Sequence, residues 1–519
     1  MPRARDLTVP GGRTRWIAAA IVFVIVILAI SPLPVGIWVD DGHYVILGKA
    51  LASGEGLRYI NLPGAPSGVH FPPGYPAVLA VLWLFAPEFP ANVAVFQFAN
   101  AVFTAIAAFC LVRLGERELQ LSGRVALITA VVWGLSIPTL MLATAVMSEA
   151  LWWAILLPAL AASERAARHG RDRDAVLAGV LLAAAMLVRS ISITAVVASI
   201  VVLAWRRRWR ALAQLGGIVG VGVAPWLLWK SAHTVALPAT VQGMYGGYGT
   251  WLSDGYATQG MALLRSTLAA NTLGVFRALT AYWSVVPNVV GWILAVVLFG
   301  LAMAGAWAVR HRATILVVTL VSYLGILLVW PFAPDRFICG AAVLWIPLVA
   351  VGGQELWRLA RRAPAWPRFF VALPPAAAAA AIVIATALAV PTRGWAVVPG
   401  RDPANAMPIA EWTVRNTARD ALLVADAETF VYLYTQRQAV PPVPYTALDV
   451  SGTTVSESNR AGLVETLAFY KPDWVLAMTA PSVRAAEQLA TDAHPALTRV
   501  AVLRVGAAYA VNAQAPVGR

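Results

Sequence analysis

Residues 17–44 read IAAAIVFVIVILAISPLPVGIWVDDGHY. An apolar run long enough to cross ~30 Å of hydrocarbon as a helix is followed almost at once by two adjacent carboxylates, Asp40 and Asp41. This order predicts a membrane-spanning helix that delivers a polar loop to the membrane surface. His43, Tyr44, Lys49, Glu55, Arg58 and His70 continue the loop in a chain where charge is otherwise scarce. If the loop begins as a helix, Asp40, His43 and Tyr44 share one face at i, i+3 and i+4.

The rest of the composition agrees. Hydrophobic residues make up 60% of the chain and charged residues 12%, with a mean hydropathy of +0.71. A soluble domain carries roughly a quarter charged residues, so a polytopic α-helical membrane protein is expected. The formal charge of +14 sits in arginine clusters between apolar runs, a pattern that the positive-inside bias explains without nucleic acid. Cys110 and Cys339 both fall inside apolar segments, which argues against a disulfide framework or a thiolate metal site. No small-residue cleavage site precedes Asp40, so the first helix reads as retained.

Apolar runs near or somewhat below the ~20 residues of a span occur at 17–35, 91–112, 125–140, 150–162, 175–188, 191–205, 216–229 (from near 211), 289–309, 313–330, 338–357 and 369–390. They give about eleven candidate spans. Residues 75–86 are apolar too, but short and bracketed by prolines. If they do not cross, the clusters Arg113/Arg117/Arg124, Arg165/Arg168/Arg171/Arg173, Arg206/Arg207/Arg208/Arg210, Arg310/Arg312 and Arg358/Arg361/Arg362/Arg368 all share the side of the N-terminal arginines. That pattern obeys the positive-inside rule, so 75–86 reads as an outer juxtamembrane helix. Outward then lie the 40–90 and 230–287 loops and the turns at 139–149, Arg189 and 331–337, able to border one cavity.

After residue 390 the pattern changes to that of a small soluble α/β domain, outside the membrane on this topology. Helices are expected at 401–417, 461–470 and 483–491, strands at 421–425 and 473–478, and a hairpin over 498–511 turning at Gly506. The chain thus divides into a membrane domain, 1–390, with outer loops 36–90 and 230–287, and an extracytoplasmic domain, 391–519. Lysine is confined to Lys49, Lys230 and Lys471 among 39 basic residues. That usage suggests a GC-rich bacterial genome and hence the plasma membrane.

Three motifs in the first loop carry a family likeness: Asp40-Asp41-x-x-Tyr44, Ala50-Leu51-Ala52-x-Gly54-Glu55-Gly56 and Pro72-Pro73-Gly74-Tyr75-Pro76. Together they resemble the first outer loop of the glycosyltransferase C superfamily, in the branch of protein O-mannosyltransferases and the lipid A aminoarabinose transferase. Met147-Ser148-Glu149 is similar to the family's second acidic position, 179–189 to its Gly-containing helix ending in Arg, and Pro331-Phe332-x-x-Asp335-Arg336-Phe337 to its late outer Arg turn. Trp412-x-x-x-Asn416-Thr417, Ala421 and Arg437 are similar to outer C-terminal domains of many members. The resemblance implies a membrane-bound inverting transferase. Its donor would be a polyprenyl-phosphate sugar and its acceptor a hydroxyl of lipid, polysaccharide or protein, with Asp40 as base. The family pair is Asp-Glu, and this chain has Asp41 in the second place, so the division of labour between Asp40 and Asp41 stays open.

The remaining candidates follow from the chemistry. The leaving group is already a phosphate anion, so positive charge is needed rather than a second acid. Arg336 and Arg189 are best placed to supply it, with Lys230, Arg265 and Arg277 in reserve. Arg189 tips two short spans, about 14 residues each against ~20, and is either a functional charge below the surface or a snorkelling one. Arg336 serves the donor or pairs with Asp335. Glu149 orients the acceptor, holds a metal with Asp40 or caps its helix. His43 and His70 hydrogen-bond, or complete a divalent-metal site with Asp40 and Asp41; no cofactor is required by the chemistry. Tyr44, Tyr245 and Tyr248 suit substrate contact, the last two in a flap or an interfacial belt. A lipid-glycan transporter or flippase is the competing class, although repeated halves typical of transporters are not visible.

The arginine distribution makes the topology testable. Reporter fusions after Arg117, Arg168 and Arg361 are expected to read cytoplasmic, and fusions after Gly255 and at the C-terminus external. A cytoplasmic C-terminus would overturn the arrangement.

Overall fold

The computed structural model describes residues 12–30, 34–36, 38, 40–280, 282, 288–361, 365–391, 403–443 and 456–512. Arg3, Arg5 and Arg362, and the junction at 392–402 where the composition changes, lie outside the described residues. The chain is mostly helical, as a backbone that must satisfy its own polar groups in hydrocarbon requires, and it ends in a small sheet. In order, the helices are α1 (Arg13–Ala29), α2 (Asp40–Ala52), α3 (Gly74–Phe85), α4 (Val93–Arg117), α5 (Gly123–Leu135), α6 (Ile137–Thr144), α7 (Glu149–His169), α8 (Asp172–Val188), α9 (Ile193–Trp205), α10 (Trp209–His233), α11 (Ala239–Tyr245), α12 (Tyr248–Gln259) and α13 (Met261–Thr280). There follow α14 (Asn288–Val309), α15 (Thr314–Val329), α16 (Asp335–Gly340), α17 (Ala342–Ala360), α18 (Ala365–Ala389) and α19 (Pro403–Asn416). The C-terminal region then alternates: β1 (Leu423–Ala425), α20 (Glu428–Thr435), β2 (Ala439–Val440), α21 (Ser456–Tyr470), β3 (Trp474–Ala477), α22 (Ala480–Thr491), β4 (Leu497–Val502) and β5 (Ala507–Val511).

Among the described residues α4, α10 and Val289–Val309 of α14 are long and apolar enough to cross a membrane, and the α5–α6 pair would add a fourth if it is one span. Three expectations change. The 125–140 run is not one straight helix: it bends by 63° between α5 and α6, where Ser136 is extended and Pro138 opens the next helix, since proline cannot continue the preceding ladder. The 230–287 stretch is not an open loop, because α10 continues to His233 and α11, α12 and α13 follow. The helix before Arg189 begins at Asp172 and runs for 17 residues; its first turn is acidic, which the helix dipole favours.

The chain forms two compact units. The first comprises Met1–Ile30, Gln97–Pro225 and Ala269–Trp395. Within it α14 and α17 cross at Gly305 and Gly352: a Cβ on either would strike the other helix's backbone, at Leu348 and Leu301. Small residues at such a crossing let the backbones touch. Several arginines of the clusters are paired. Buried Glu118 takes Arg168 and, at 3.9 Å, Arg165, which also meets Asp174 at 2.8 Å. Glu164, fully buried in α7, accepts the Ile315 and Leu316 amides at 2.5 and 3.2 Å, satisfying donors that the first turn of α15 would leave bare.

The second unit comprises Ser31–Phe96, Trp226–Leu268 and Ala396–Arg519. Its sheet has the order β2-β1-β3-β5-β4, with β2, β1 and β3 parallel and β5 and β4 antiparallel. Ile409, Leu423, Phe430, Val431, Leu476 and Ala508 form its core. Arg437 is buried and donates to the carbonyls of Val414 and Thr417 at 3.1 and 3.0 Å, closing the end of α19. The expected elements from 403 onward are present. Helix α20 and strand β2 are additional, and they join this sheet region to the first loop. The Ala439 amide donates to Asn61 O at 3.0 Å, Gln438 Nε2 to Leu62 O at 3.0 Å, and the Tyr434 hydroxyl accepts the Val35 amide at 3.1 Å.

At Gly36, φ is +94° and a Cβ would stand 2.5 Å from the Phe430 amide nitrogen. Gly36→Ala therefore meets both a left-handed backbone and the first turn of α20. It is expected to lower stability by about 3 kcal/mol, read as a fall in the unfolding midpoint and faster proteolysis between α1 and α2. An unchanged midpoint would show that α20 does not bear on this turn.

Candidate active site

In the second unit the two acids at the start of α2 face different surroundings. Asp41 is 2% exposed, and its carboxylate accepts the backbone amides of Gly36, Trp38 and Gly42 at 3.0, 3.1 and 2.9 Å. Burial raises its pKa to about 7, against the pull of those donors. Asp40 is only partly buried, and its charge reaches both His70 and Tyr59.

Around them lies an aromatic and polar shell. His43 is buried with its ring centroid 4.7 Å from that of Tyr245, 5.5 Å from Phe71 and 5.6 Å from Tyr59. Tyr44, also buried, packs on Phe71 and Tyr75. His70 Nδ1 donates to Gly246 O at 2.6 Å and its ring lies 4.0 Å from that of Tyr248. The Tyr245 hydroxyl donates to Glu428 Oε1 at 2.7 Å and accepts Asn61 Nδ2 at 2.8 Å. Lys230 is half-buried nearby: a Cβ on Gly247 would lie 3.8 Å from its Cε, and its charge acts on His70. The unit therefore brings Asp40, Asp41, His43, Tyr44, Lys230, Tyr245 and Tyr248 into one neighbourhood.

Glu149, Arg189 and Arg336 form a second cluster, in the first unit. Glu149 is 1% exposed. Its Oε1 accepts Arg189 Nη1 at 2.9 Å and Arg336 Nε at 2.8 Å. Arg189 also donates to Ser148 Oγ at 2.9 Å and lies 5.8 Å from the Trp152 ring. The expected alternative for Arg336, a pair with Asp335, is not what forms, since Asp335 meets Arg277 at 3.3 Å. Two guanidiniums thus meet on one buried carboxylate. Among the described residues no three His, Cys, Asp or Glu side chains gather as a metal site. Glu428 and Asn61 were missed by sequence reasoning. Their sequence neighbourhoods hold no motif, and only the fold shows what they touch.

No family model matches the chain and no curated protein matches it. Solved structures do. ArnT from Cupriavidus metallidurans bound to undecaprenyl phosphate aligns with a TM-score of 0.57 at 13% identity, over 96% of this chain and 97% of that one. Its apo state gives 0.56 at 12%, over 95% and 97%. The apo oligosaccharyltransferase of Archaeoglobus fulgidus gives 0.51 at 14%, over 93% of this chain and 71% of that one. The chain shares its fold with these solved structures along essentially its whole length.

Burial lowers the His70 pKa to about 4, although its bond to Gly246 O and the charge of Asp40 favour the proton. The unfolded chain takes that proton near pH 6.5 and the folded protein only near 4. The stability from His70 is therefore present above pH 6.5 and lost as the pH falls toward 4, by up to roughly 3 kcal/mol. The raised Asp41 gives the opposite slope. The comparison is thus between wild type and His70→Gln across pH 4–7, where the substitution is expected to flatten the acid loss. Parallel curves would remove His70 as its source.

Proposed function

We propose that this protein is an inverting glycosyltransferase of the bacterial plasma membrane. It moves a sugar from a polyprenyl phosphate to an acceptor hydroxyl on the outer face. The observation that carries the reading is the asymmetry of the acidic pair, in a fold shared with a protein solved with undecaprenyl phosphate bound. Asp41 has its oxygens engaged by three backbone amides, so its part is to hold the turn. Asp40, the less buried of the two, is the base.

In this mechanism the acceptor oxygen gives its proton to an Asp40 carboxylate oxygen as it attacks the first carbon of the sugar. The bond from that carbon to the phosphate oxygen breaks on the opposite face, so the configuration inverts. The electron pair leaves on the polyprenyl phosphate, whose charge needs a cationic partner rather than a proton. Lys230 is the candidate in the neighbourhood of Asp40, and Arg189 and Arg336, held by Glu149, form the cationic site of the first unit. Base catalysis of this kind is worth typically ~10²–10⁴-fold. On this reading residues 1–390 carry about eleven spans with outer stretches 36–90 and 230–287, and 391–519 lie outside.

The test is transfer of labelled sugar by the purified protein in proteoliposomes, from a panel of undecaprenyl-phosphate sugars to extracted envelope lipids, polysaccharide and protein. Wild type is expected to transfer, which a transporter or flippase does not do. Asp40→Asn is expected to lose at least about 10²-fold in turnover with an unchanged unfolding midpoint. Asp41→Asn is expected to lower the midpoint first, because an amide nitrogen cannot accept the backbone donors it would face. Near-normal turnover in a folded Asp40→Asn protein would overturn the assignment.

A further inference from the structure

Glu428 opens α20 and is 2% exposed, yet the reaction above does not use it. A carboxylate taken out of water is costly unless hydrogen-bonded, and an apolar side chain would fill the same space more cheaply. Its bond partner is specific. Glu428 Oε1 accepts the hydroxyl of Tyr245 at 2.7 Å, and that hydroxyl accepts Asn61 Nδ2 at 2.8 Å. Tyr245 is fully buried, so its hydroxyl is bonded to protein groups and is not presented to a substrate.

Tyr245 is the last residue of α11, and the three residues after it face the proposed site. The carbonyl of Gly246 takes the His70 Nδ1 proton at 2.6 Å. Gly247 lies against the aliphatic end of Lys230. Tyr248, which starts α12, rests on the His70 ring at 4.0 Å. On its other side the Tyr245 ring meets His43 and Tyr59 edge-on, both at 4.7 Å between centroids. The elbow 245–248 is thus fastened at one end by a residue of the C-terminal α/β domain and touches, at the other, the groups that surround Asp40.

We propose that Glu428 is a positioning residue: by fixing the Tyr245 hydroxyl it sets the 245–248 elbow, which places Lys230 and His70 beside Asp40 and so controls affinity for the phosphate of the lipid donor. The last part rests on the function proposed above. The contact between Glu428 and the elbow does not, which allows two separable measurements.

The first is amide hydrogen exchange on the full-length protein, wild type against Glu428→Ala, Tyr245→Phe and their combination. Loss of a hydrogen bond to a charged group is expected to speed exchange in peptides covering 239–259 by about tenfold. The double variant is expected to go no further than either single one, and β3 is expected to be unaffected. Glu428→Gln, which keeps an acceptor oxygen, is expected to return exchange to within about twofold of wild type. Unchanged exchange over 239–259, equal acceleration in β3, or no rescue by Gln would each overturn the proposal. Tyr245→Phe removes one oxygen only, and stands in if Glu428→Ala does not fold.

The second measurement is binding of undecaprenyl phosphate by the same proteins. Wild type is expected to bind, Glu428→Ala and Tyr245→Phe about tenfold more weakly, and Glu428→Gln nearly as wild type. Wild-type affinity in a Glu428→Ala protein whose elbow exchanges faster would overturn the link to the phosphate. A wild type that does not bind the lipid would instead overturn the proposed function, leaving the elbow to be judged by exchange alone.

Discussion

One buried carboxylate holds the turn on which the first loop depends. Three backbone amides converge on Asp41, and without them the carboxyl would be a charged group in a dry site, one of the more costly arrangements in a protein. With them, the chain is forced to double back between Gly36 and Gly42. That reversal brings Gly36 under the first turn of α20, where Thr429 Oγ1 reaches Gly36 O at 3.4 Å, and sets Asp40 on the less buried side. A single constraint therefore bears on the start of α2, the packing of α20 against it and the different burial of the two acids.

The second cluster follows a different logic. Arg189 and Arg336 would repel each other, and Glu149, almost wholly buried, holds both. Removing that carboxylate would take from both cations the partner they share. The same economy of partners recurs among the arginines between spans. Glu118 gathers Arg165 and Arg168, so part of the positive bias seen in the sequence is internally balanced.

Much of the fold was legible because the bilayer leaves a chain few choices. The apolar runs at 91–112 and 289–309 match α4 and α14 closely, and the C-terminal alternation from 403 to 511 was visible as changes of period. The elements that could not be read depend on distant partners. Residues 428–435, ETFVYLYT, are β-branched and aromatic, a strand-like composition that forms α20 only because it packs against the sheet and α2. The Gly-rich stretch after Lys230 reads as loop, yet it forms α11 and α12. Asp40 and Asp41 are the same residue type, and what distinguishes them is the fold, which brings the amides of Gly36, Trp38 and Gly42 onto Asp41. Likewise Glu149 and Arg336 are 187 residues apart, so no local pattern could prefer Glu149 to the adjacent Asp335.

The joining of Gly36 to Thr429, 393 residues later, bears on how the protein is made. Synthesis runs from the N-terminus at roughly 5–20 residues per second, so the first loop waits on the order of 20–80 s for the helix that completes it. During that interval the glycine turn and the aromatic shell of His43 and Tyr59 lack α20. A protein whose late-made helix closes its first loop thus carries its own finishing step: the loop acquires its final packing only after most of the polypeptide has been inserted.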